Sequence, residues 1–294
     1  MRTLPFFKYS PSGNITILVP DLSLSPAERA RCASLLMRPG HVHAEQVGYT
    51  DLACDPPRLE MMGEEFCVNA CRAAAALLHA EGRLRLPSPP EGFVRPDPDR
   101  PDPDWRYGLL QCSGISRPLA VRAKTIVAAD ADKPAAPREA GVCLSLPALP
   151  DVENPAEGIH RVRLPGISHL ILDAALHPVP ADWLNAAAML RRAFDLENEE
   201  AVGCLWLENG IAARLTPVVW VRATNAAQQE TACGSGSLAC AVHLLRGAGR
   251  IEILQPGGDA LEVIIQEQAG SFQAWISGRV ECVAKGAAFV ADDA

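Results

Sequence analysis

The feature that most constrains this chain is a short internal repeat built around a cysteine. Residues 64–74 (EEFCVNACRAA) and residues 230–240 (ETACGSGSLAC) each place a glutamate three positions before a cysteine, a small polar residue two positions after it, and an alanine-containing stretch beyond. Alanine favours helix, so each segment predicts a cysteine at a helix start. More than half of the 294-residue chain separates Cys67 from Cys233. The spacing therefore indicates two duplicated domains.

The rest of the chain is typical of an α/β protein. The segment 147–155 (PALPDVENP) is the best candidate for a hinge, and the proline-rich segment 87–103 predicts an exposed loop. Ser25 and Glu28 form a capping-box pattern for a helix that ends near Met37. Further helices are predicted over 67–80, 181–194 and 233–245. Strands are predicted over 14–19, 43–49, 107–112, 119–128, 142–146, 169–173, 201–207, 212–215 and 218–222.

Composition removes several classes of function. Acidic residues outnumber basic ones, 35 to 27, and no Lys/Arg-rich run occurs, so nucleic-acid binding is not expected. No stretch approaches the roughly 18 apolar residues of a membrane span, and residues 1–14 lack the apolar core of a signal peptide. We therefore expect a cytoplasmic protein in which most of the ten cysteines are small buried side chains.

A cysteine at a helix start has a chemical advantage. The unpaired N–H groups and the helix dipole there favour the thiolate, and they also bind an anion such as an α-carboxylate. If Cys67 and Cys233 faced each other across a domain cleft, a bound amino acid would have one sulfur on each side of its Cα atom. One sulfur would remove the Cα proton and the other would return a proton on the opposite face. The pattern thus predicts a racemase or epimerase.

Other interpretations of these residues remain open. A cysteine at a helix start is most often a small buried side chain. The spacings Cys67-x3-Cys71 and Cys240-x2-His243 would suit a zinc site, although no further close pair completes a tetrahedral set. A cysteine protease or amidase needs a positioned histidine, and His243 is expected on a helix surface. The glycines of segment 234–236 lack the lysine and the spacing of a phosphate-binding loop.

Several motifs in chain order resemble the diaminopimelate epimerase family of two-cysteine amino-acid racemases. Residues 231–236 (TACGSG) are very similar to its second cysteine signature, and residues 66–70 (FCVNA) resemble its first, C-G-N-G, with valine and alanine in place of the glycines. Residues 8–14 (KYSPSGN) resemble its opening motif, and 44–46 (AEQ) its A-D-Q motif. Residues 278–286 look like its closing strand, which returns to the first domain.

The resemblance implies a fold, a site and a mechanism. The fold would be two pseudo-symmetric domains, 1–150 plus 279–294 and 151–278, each a curled mixed sheet around a central helix, with the site between them. Cys67 and Cys233 would be the acid/base thiols, with neither pyridoxal phosphate nor a metal. The substrate would be a small molecule, an amino acid, and a homodimer is compatible with the family. Seven residues would contact the substrate: Asn14, Gln46 and Arg222, and the backbone of Val68, Asn69, Gly234 and Ser235.

Departures from the family concern the substrate. The family's N-P-H segment reads Ile167-Ser-His169, its Glu-Arg pair reads Val221-Arg222, and an asparagine expected near residues 201–204 is missing. Diaminopimelate would bury charged groups without partners there, so a different amino acid is favoured. Residues 63–70 resemble the histidine racemase branch of metallophore pathways. A diaminopimelate epimerase with a rearranged distal site, and a non-catalytic amino-acid- or metal-binding relative, are the alternatives.

Overall fold

The computed structural model describes residues 1–98, 101–126, 136–222 and 225–291, which form a mixed α/β fold. Its helices are α1 (Pro26–Leu36), α2 (Val68–Ala80), α3 (Trp183–Ala193) and α4 (Gly234–Leu245). Its strands are β1 (Arg2–Pro11), β2 (Thr16–Val19), β3 (Gln46–Asp51), β4 (Arg58–Met61), β5 (Arg106–Cys112), β6 (Leu119–Thr125), β7 (Arg138–Leu146), β8 (Val152–Ala156), β9 (Ile159–Leu164), β10 (Ile167–Asp173), β11 (Ala201–Asn209), β12 (Ala213–Val221), β13 (Ala226–Gln229), β14 (Gly249–Leu254), β15 (Ala260–Gln268) and β16 (Ser271–Val290).

The chain divides into two units. The first unit comprises Met1–Cys143 and Ser277–Ala294, and the second comprises Leu144–Ile276. The domain boundaries expected from the sequence stay a prediction. Among the described residues, no helix combines the length and the apolar character needed to cross a membrane.

In the first unit, the strands form a closed barrel around a helix. The strands β1 to β7 follow one another in order, and β16 closes the ring because it pairs with both β7 and β1. Helix α2 contacts β1 to β6, and every residue from Val68 to Leu78 is buried. A helix that is buried on all sides needs small apolar side chains, which the alanines at 73–76 supply.

In the second unit, two helices pack against one set of strands. The strand order is β15-β14-β12-β11-β10-β9-β8, with β13 paired to β12. Helix α3 covers a core that includes Leu170, Cys204 and Trp206. The alternate residue Leu205 lies beside Gly236 of α4, because successive side chains of a strand point to opposite faces. Helix α4 also contacts β9, β10, β14 and β15.

Most helix predictions are confirmed. Helix α1 begins with the predicted capping box, since Ser25 accepts from the Glu28 N–H and the Glu28 carboxylate accepts from the Ser25 N–H. Helices α2 and α4 begin directly after Cys67 and Cys233. The predicted closing strand is also present, as part of β16, and pairs with β1.

Some strand predictions need correction. Segments 212–215 and 218–222 were expected to be separate strands, but β12 continues through Pro217. The Pro217 carbonyl accepts from the Glu230 N–H just beyond the end of β13. Proline has no N–H donor, but Pro217 lies where the pairing of β12 with β13 stops, so β12 tolerates it there. Strand β1 was not predicted, and β8 overlaps the expected hinge at 147–155. The described part of segment 87–103 holds no helix, while residues 99–100, and residues 127–128 of the predicted strand 119–128, lie outside the described residues.

Candidate active site

In the first unit, Cys67 caps helix α2. Its backbone is extended (φ −134°, ψ 114°), and its Sγ accepts from the N–H of Ala70 at 3.4 Å. Val68 and Asn69 follow as the first helical residues and are both buried. The first N–H groups of an α-helix have no carbonyl partner within the helix, so this end is suited to an anion.

In the second unit, Cys233 caps helix α4 with nearly the same geometry. Its backbone is also extended (φ −127°, ψ 106°), and its Sγ accepts from the N–H of Gly236 at 3.4 Å. The hydroxyl of Ser235 lies 3.7 Å from the sulfur. A Cβ atom on Gly236 would lie 3.1 Å from that sulfur, so a glycine gives the thiol its room. Each unit therefore presents a thiol at the start of its buried helix.

In the first unit, Gln46 is hydrogen-bonded to Cys67 on one side and to Asn14 on the other. The Cys67 thiol donates to Gln46 Oε1 at 2.8 Å, and Gln46 Nε2 donates to Asn14 Oδ1 at 2.6 Å. Asn14 is fully buried and donates from Nδ2 to the Glu45 carboxylate at 2.9 Å. The structure thus brings together three residues that the sequence had associated with one site.

Arg72 lies one turn further into α2 and is completely buried. Its guanidinium donates to Asn69 Oδ1, to the Ser12 hydroxyl and to the carbonyls of Ala140 and Arg279. These bonds connect the start of α2 to β7, to β16 and to the turn between β1 and β2. A buried cation close behind the helix start also favours negative charge there.

Burial has the largest effect on the pKa of the Cys233 thiol. Burial raises that pKa well above its usual value, and the carboxylate of Glu230 raises it further. The N–H of Gly236 and the hydroxyl of Ser235 act in the opposite direction but do not compensate. At Cys233, burial therefore opposes the lowering of the thiol pKa that was expected from the helix start, since desolvation disfavours the charged form.

Arg222 and His243 are placed differently from the other candidates. Arg222 is exposed at the turn between β12 and β13, where it donates to the Asn198 carbonyl. Along this hairpin it lies at the opposite end from Glu230, so the structure does not bring it to the start of α4. Its role in substrate binding stays a prediction. His243 is only half-exposed, because its ring stacks on His160 with the centroids 4.1 Å apart.

The zinc interpretation finds no support in the geometry. All ten cysteines are free thiols, and Cys240 is fully buried within α4. Among the described residues, no three His, Cys, Asp or Glu side chains converge as metal ligands would.

Sequence reasoning missed two buried residues that support the helix starts. Gln255 accepts from the Cys233 N–H at 2.9 Å and donates to the Ser237 hydroxyl at 3.0 Å. It lies 22 residues after Cys233 in sequence, and nothing local marks it. Arg72 did carry a signal, because a charged residue inside an alanine-rich helix must be either exposed or fully hydrogen-bonded.

Comparison with known proteins shows which proteins the chain resembles in sequence and fold. A histidine racemase from Fusobacterium nucleatum subsp. nucleatum is 27% identical over 295 residues, which covers 99% of this chain and 98% of that one. Two solved structures share the fold: a PhzF-family phenazine biosynthesis protein from Bacillus anthracis (TM-score 0.63, 12% identity, covering 99% of this chain and 100% of that one) and a hydroxyproline epimerase from Agrobacterium vitis (TM-score 0.61, 11% identity, covering 98% and 92%).

The resemblance expected from the motifs is confirmed at the level of reaction class. The protein is an isomerase, an amino-acid racemase, and its fold is of the type found in proline racemase-like and PhzF-like proteins. A family model described as "Histidine racemase CntK N-terminal domain" matches residues 3–89 and 147–289. The chain therefore belongs to this histidine racemase family.

Proposed function

We propose that this protein racemises an amino acid without pyridoxal phosphate, with Cys67 and Cys233 as its two acid/base groups. The observation that supports this most strongly is the duplicated helix start. In both units an extended cysteine caps a buried helix, and its sulfur accepts from the N–H three residues on. Two copies of one thiol geometry suit a reaction that is the same in both directions.

The proposed mechanism uses one sulfur on each face of the substrate. One thiolate removes the Cα proton while the opposite thiol donates its proton to the other face, and the roles exchange for the other enantiomer. The N–H groups at Val68, Asn69, Gly234 and Ser235 bind the α-carboxylate. The mechanism requires the two helix starts to meet at the substrate, in a two-domain arrangement like that of the diaminopimelate epimerase family. Exclusion of water would strengthen the base.

We propose histidine as the substrate. The relative from Fusobacterium nucleatum carries the name histidine racemase, and its similarity extends over almost the whole chain. The residues that would recognise the distal centre of diaminopimelate are also absent from their family positions, as at Ile167. A cytoplasmic location, a role in metallophore synthesis and assembly as a homodimer belong to the same proposal.

The test is exchange of the Cα hydrogen. The protein would be incubated in D2O with each standard L-amino acid and with LL-diaminopimelate, under reducing conditions and without pyridoxal phosphate. We expect deuterated D-histidine to form and little exchange with the other substrates. Predominant turnover of LL-diaminopimelate would instead establish the epimerase alternative, and exchange with none would contradict the proposal.

Variants then assign the two thiols. We expect Cys67→Ala and Cys233→Ala each to lower racemisation at least about a hundredfold, since general acid/base groups typically contribute 10²–10⁴-fold. Cys54→Ala is the matched control, because Cys54 is a partly exposed free cysteine whose thiol donates to the nearby Asp51 carbonyl. Racemisation that persists in the Cys67→Ala, Cys233→Ala double variant would refute the two-thiol mechanism.

A further inference from the structure

The direction of each hydrogen bond around Gln46 is determined by its neighbours. A carboxylate can only accept, so the Glu45 carboxylate makes Asn14 present its Nδ2 donor at 2.9 Å. The Oδ1 acceptor of Asn14 then points toward Gln46, and Gln46 Nε2 donates to it at 2.6 Å. The second hydrogen on Gln46 Nε2 goes to the Thr16 hydroxyl at 2.8 Å.

This arrangement leaves one orientation for the Gln46 amide. Both of its N–H groups are used by Asn14 and Thr16, so its carbonyl oxygen faces Cys67 at 2.8 Å. An amide oxygen accepts a hydrogen bond from a thiol but cannot donate one to a thiolate. The neutral thiol is therefore the form of Cys67 that this partner stabilises.

We propose that Glu45, Asn14 and Thr16 lock the Gln46 amide with its oxygen toward Cys67, and that Gln46 thereby holds Cys67 as the proton donor of the resting protein. Gln46 is thus a positioning residue that acts on the thiol, beyond the substrate contact expected from the sequence. This inference deepens the proposed function and rests on it for its catalytic meaning. The hydrogen-bond lock itself is independent of the reaction.

Several other titratable or charged groups lie near Cys67. On α2, Cys71 interacts electrostatically with Cys67 but is fully buried, and burial raises the pKa of the Cys71 thiol well above its usual value. Arg72 faces the same helix start through Asn69 and favours negative charge. From the segment before β3, Glu45 acts through Asn14. Glu65, two residues before Cys67, accepts a hydrogen bond from the Gly63 N–H, and burial raises the pKa of the Glu65 carboxyl.

The two thiols consequently differ in their immediate partners. Each sulfur accepts from the N–H three residues on, but the Cys67 thiol donates to a neutral amide oxygen, Gln46 Oε1, whereas the Cys233 sulfur is bonded to the Ser235 hydroxyl and to the Glu230 side chain. The Ser235 hydroxyl can donate to a thiolate, whereas the Glu230 carboxylate accepts from the thiol and raises its pKa. Cys67 is therefore the member of the pair whose proton is held by a neutral amide of fixed orientation.

The test measures when the Cys67 thiol ionises, without any substrate. The full-length protein would be alkylated with iodoacetamide across a range of pH, and the rate at Cys67 would be followed by mass spectrometry with fragmentation to separate it from Cys71. Gln46→Glu is expected to raise the midpoint by about one pH unit or more, because it places a negative charge beside the sulfur. Gln46→Met is expected to lower it by roughly half to one unit, because the acceptor is lost.

Two further variants test the lock rather than Gln46 itself. Asn14→Ala and Thr16→Val each free one N–H of Gln46, so that the amide can turn and donate to the thiolate. Both are expected to lower the midpoint by roughly half a unit or more. Gln228→Glu, a matched change at an exposed position of β13, is expected to leave the midpoint unchanged. Thr16→Val alters the fewest atoms and carries the test if a larger substitution prevents folding.

The outcomes separate the lock from the racemase proposal. Opposite shifts for Gln46→Glu and Gln46→Met, with a downward shift for Thr16→Val, support the lock even if the wild-type protein racemises nothing. A midpoint that stays within about 0.2 units of wild type in folded Gln46→Met and Thr16→Val proteins would overturn it, even if racemisation is fast.

Discussion

At the scale of the residue, Cys233 shows which of two opposing effects controls a thiol. The start of α4 and the Gly236 N–H favour the thiolate, whereas burial and the Glu230 carboxylate raise its pKa. The pKa of this thiol is raised, because burial disfavours the charged thiolate and is the largest of these effects. In the proposed mechanism the thiolate must form, so racemisation should increase as the pH rises.

Glu230 offers a direct test at this thiol. Glu230→Gln removes the negative charge that raises the pKa of Cys233, so the rising limb of kcat/KM against pH should move to lower pH, by roughly half a unit or more. Glu208→Gln is the control, because Glu208 is an exposed residue at the far end of β11. An unchanged profile in Glu230→Gln would show that the Cys233 ionisation does not limit the reaction.

Replacing the buried Arg72 should lower the stability of the first unit strongly. Arg72→Gln cannot reach all four of its acceptors, and buried carbonyls would lose their partners. We expect the free energy of unfolding, measured in urea, to fall by at least about 2 kcal/mol. Arg83→Gln, at an exposed arginine just beyond α2, should change it by less than about 0.5 kcal/mol.

At the scale of the element, β10 and β11 show how a side chain and a glycine depend on each other. His169 and Gly203 are directly paired between these parallel strands. A Cβ atom on Gly203 would lie 2.1 Å from His169 Nδ1, which is so short that the backbone or the imidazole would have to move. The glycine therefore makes room for the imidazole across the strand pair.

The pair predicts non-additive substitutions. Gly203→Ala should lower the free energy of unfolding by about 1–3 kcal/mol, the usual cost of overpacking a core. Adding His169→Ala should recover part of that loss, so that the double variant is at least about 1 kcal/mol more stable than the sum of the single effects. Urea unfolding of the three variants measures this, and strict additivity would contradict the steric account.

At the scale of the whole molecule, the buried His169 links stability to pH. Neither ring nitrogen has a hydrogen-bond partner among the described residues, and burial lowers the pKa of this imidazole to about 3. The unfolded chain takes up a proton near the ordinary histidine pKa of about 6.5, whereas the folded chain does not until about pH 3. The folded state therefore loses stability as the pH falls between these values.

This linkage predicts the steepness of acid unfolding. The contribution of the neutral His169 to the free energy of unfolding is complete above about pH 6.5. Below that pH it falls by about 1.4 kcal/mol per pH unit. His169→Leu should flatten the decline in unfolding free energy between pH 6 and about pH 4. His41→Leu, at an exposed histidine, should leave the slope as in wild type. An equal slope in His169→Leu would show that the imidazole is charged in the folded protein.

Local patterns identified much of the site before any tertiary contact was known. The cysteine repeat located the starts of α2 and α4, because capping and alanine content are properties of neighbouring residues. The motifs around Asn14 and Gln46 likewise marked residues that lie together. Strand β1 escaped prediction because its burial pattern does not alternate cleanly and its longest pairing is with β16, more than 260 residues away.

The sequence by itself determined where the two thiols stand on their helices, since helix capping depends only on adjacent residues. It also determined the class of reaction, through the duplicated cysteine motif. Only the tertiary structure bears on the protonation of those thiols. Burial sets the pKa of Cys233, and the direction of the Gln46 amide depends on Glu45, Asn14 and Thr16 meeting in space. Desolvation and hydrogen-bond direction are properties of the folded surroundings, which no local pattern contains.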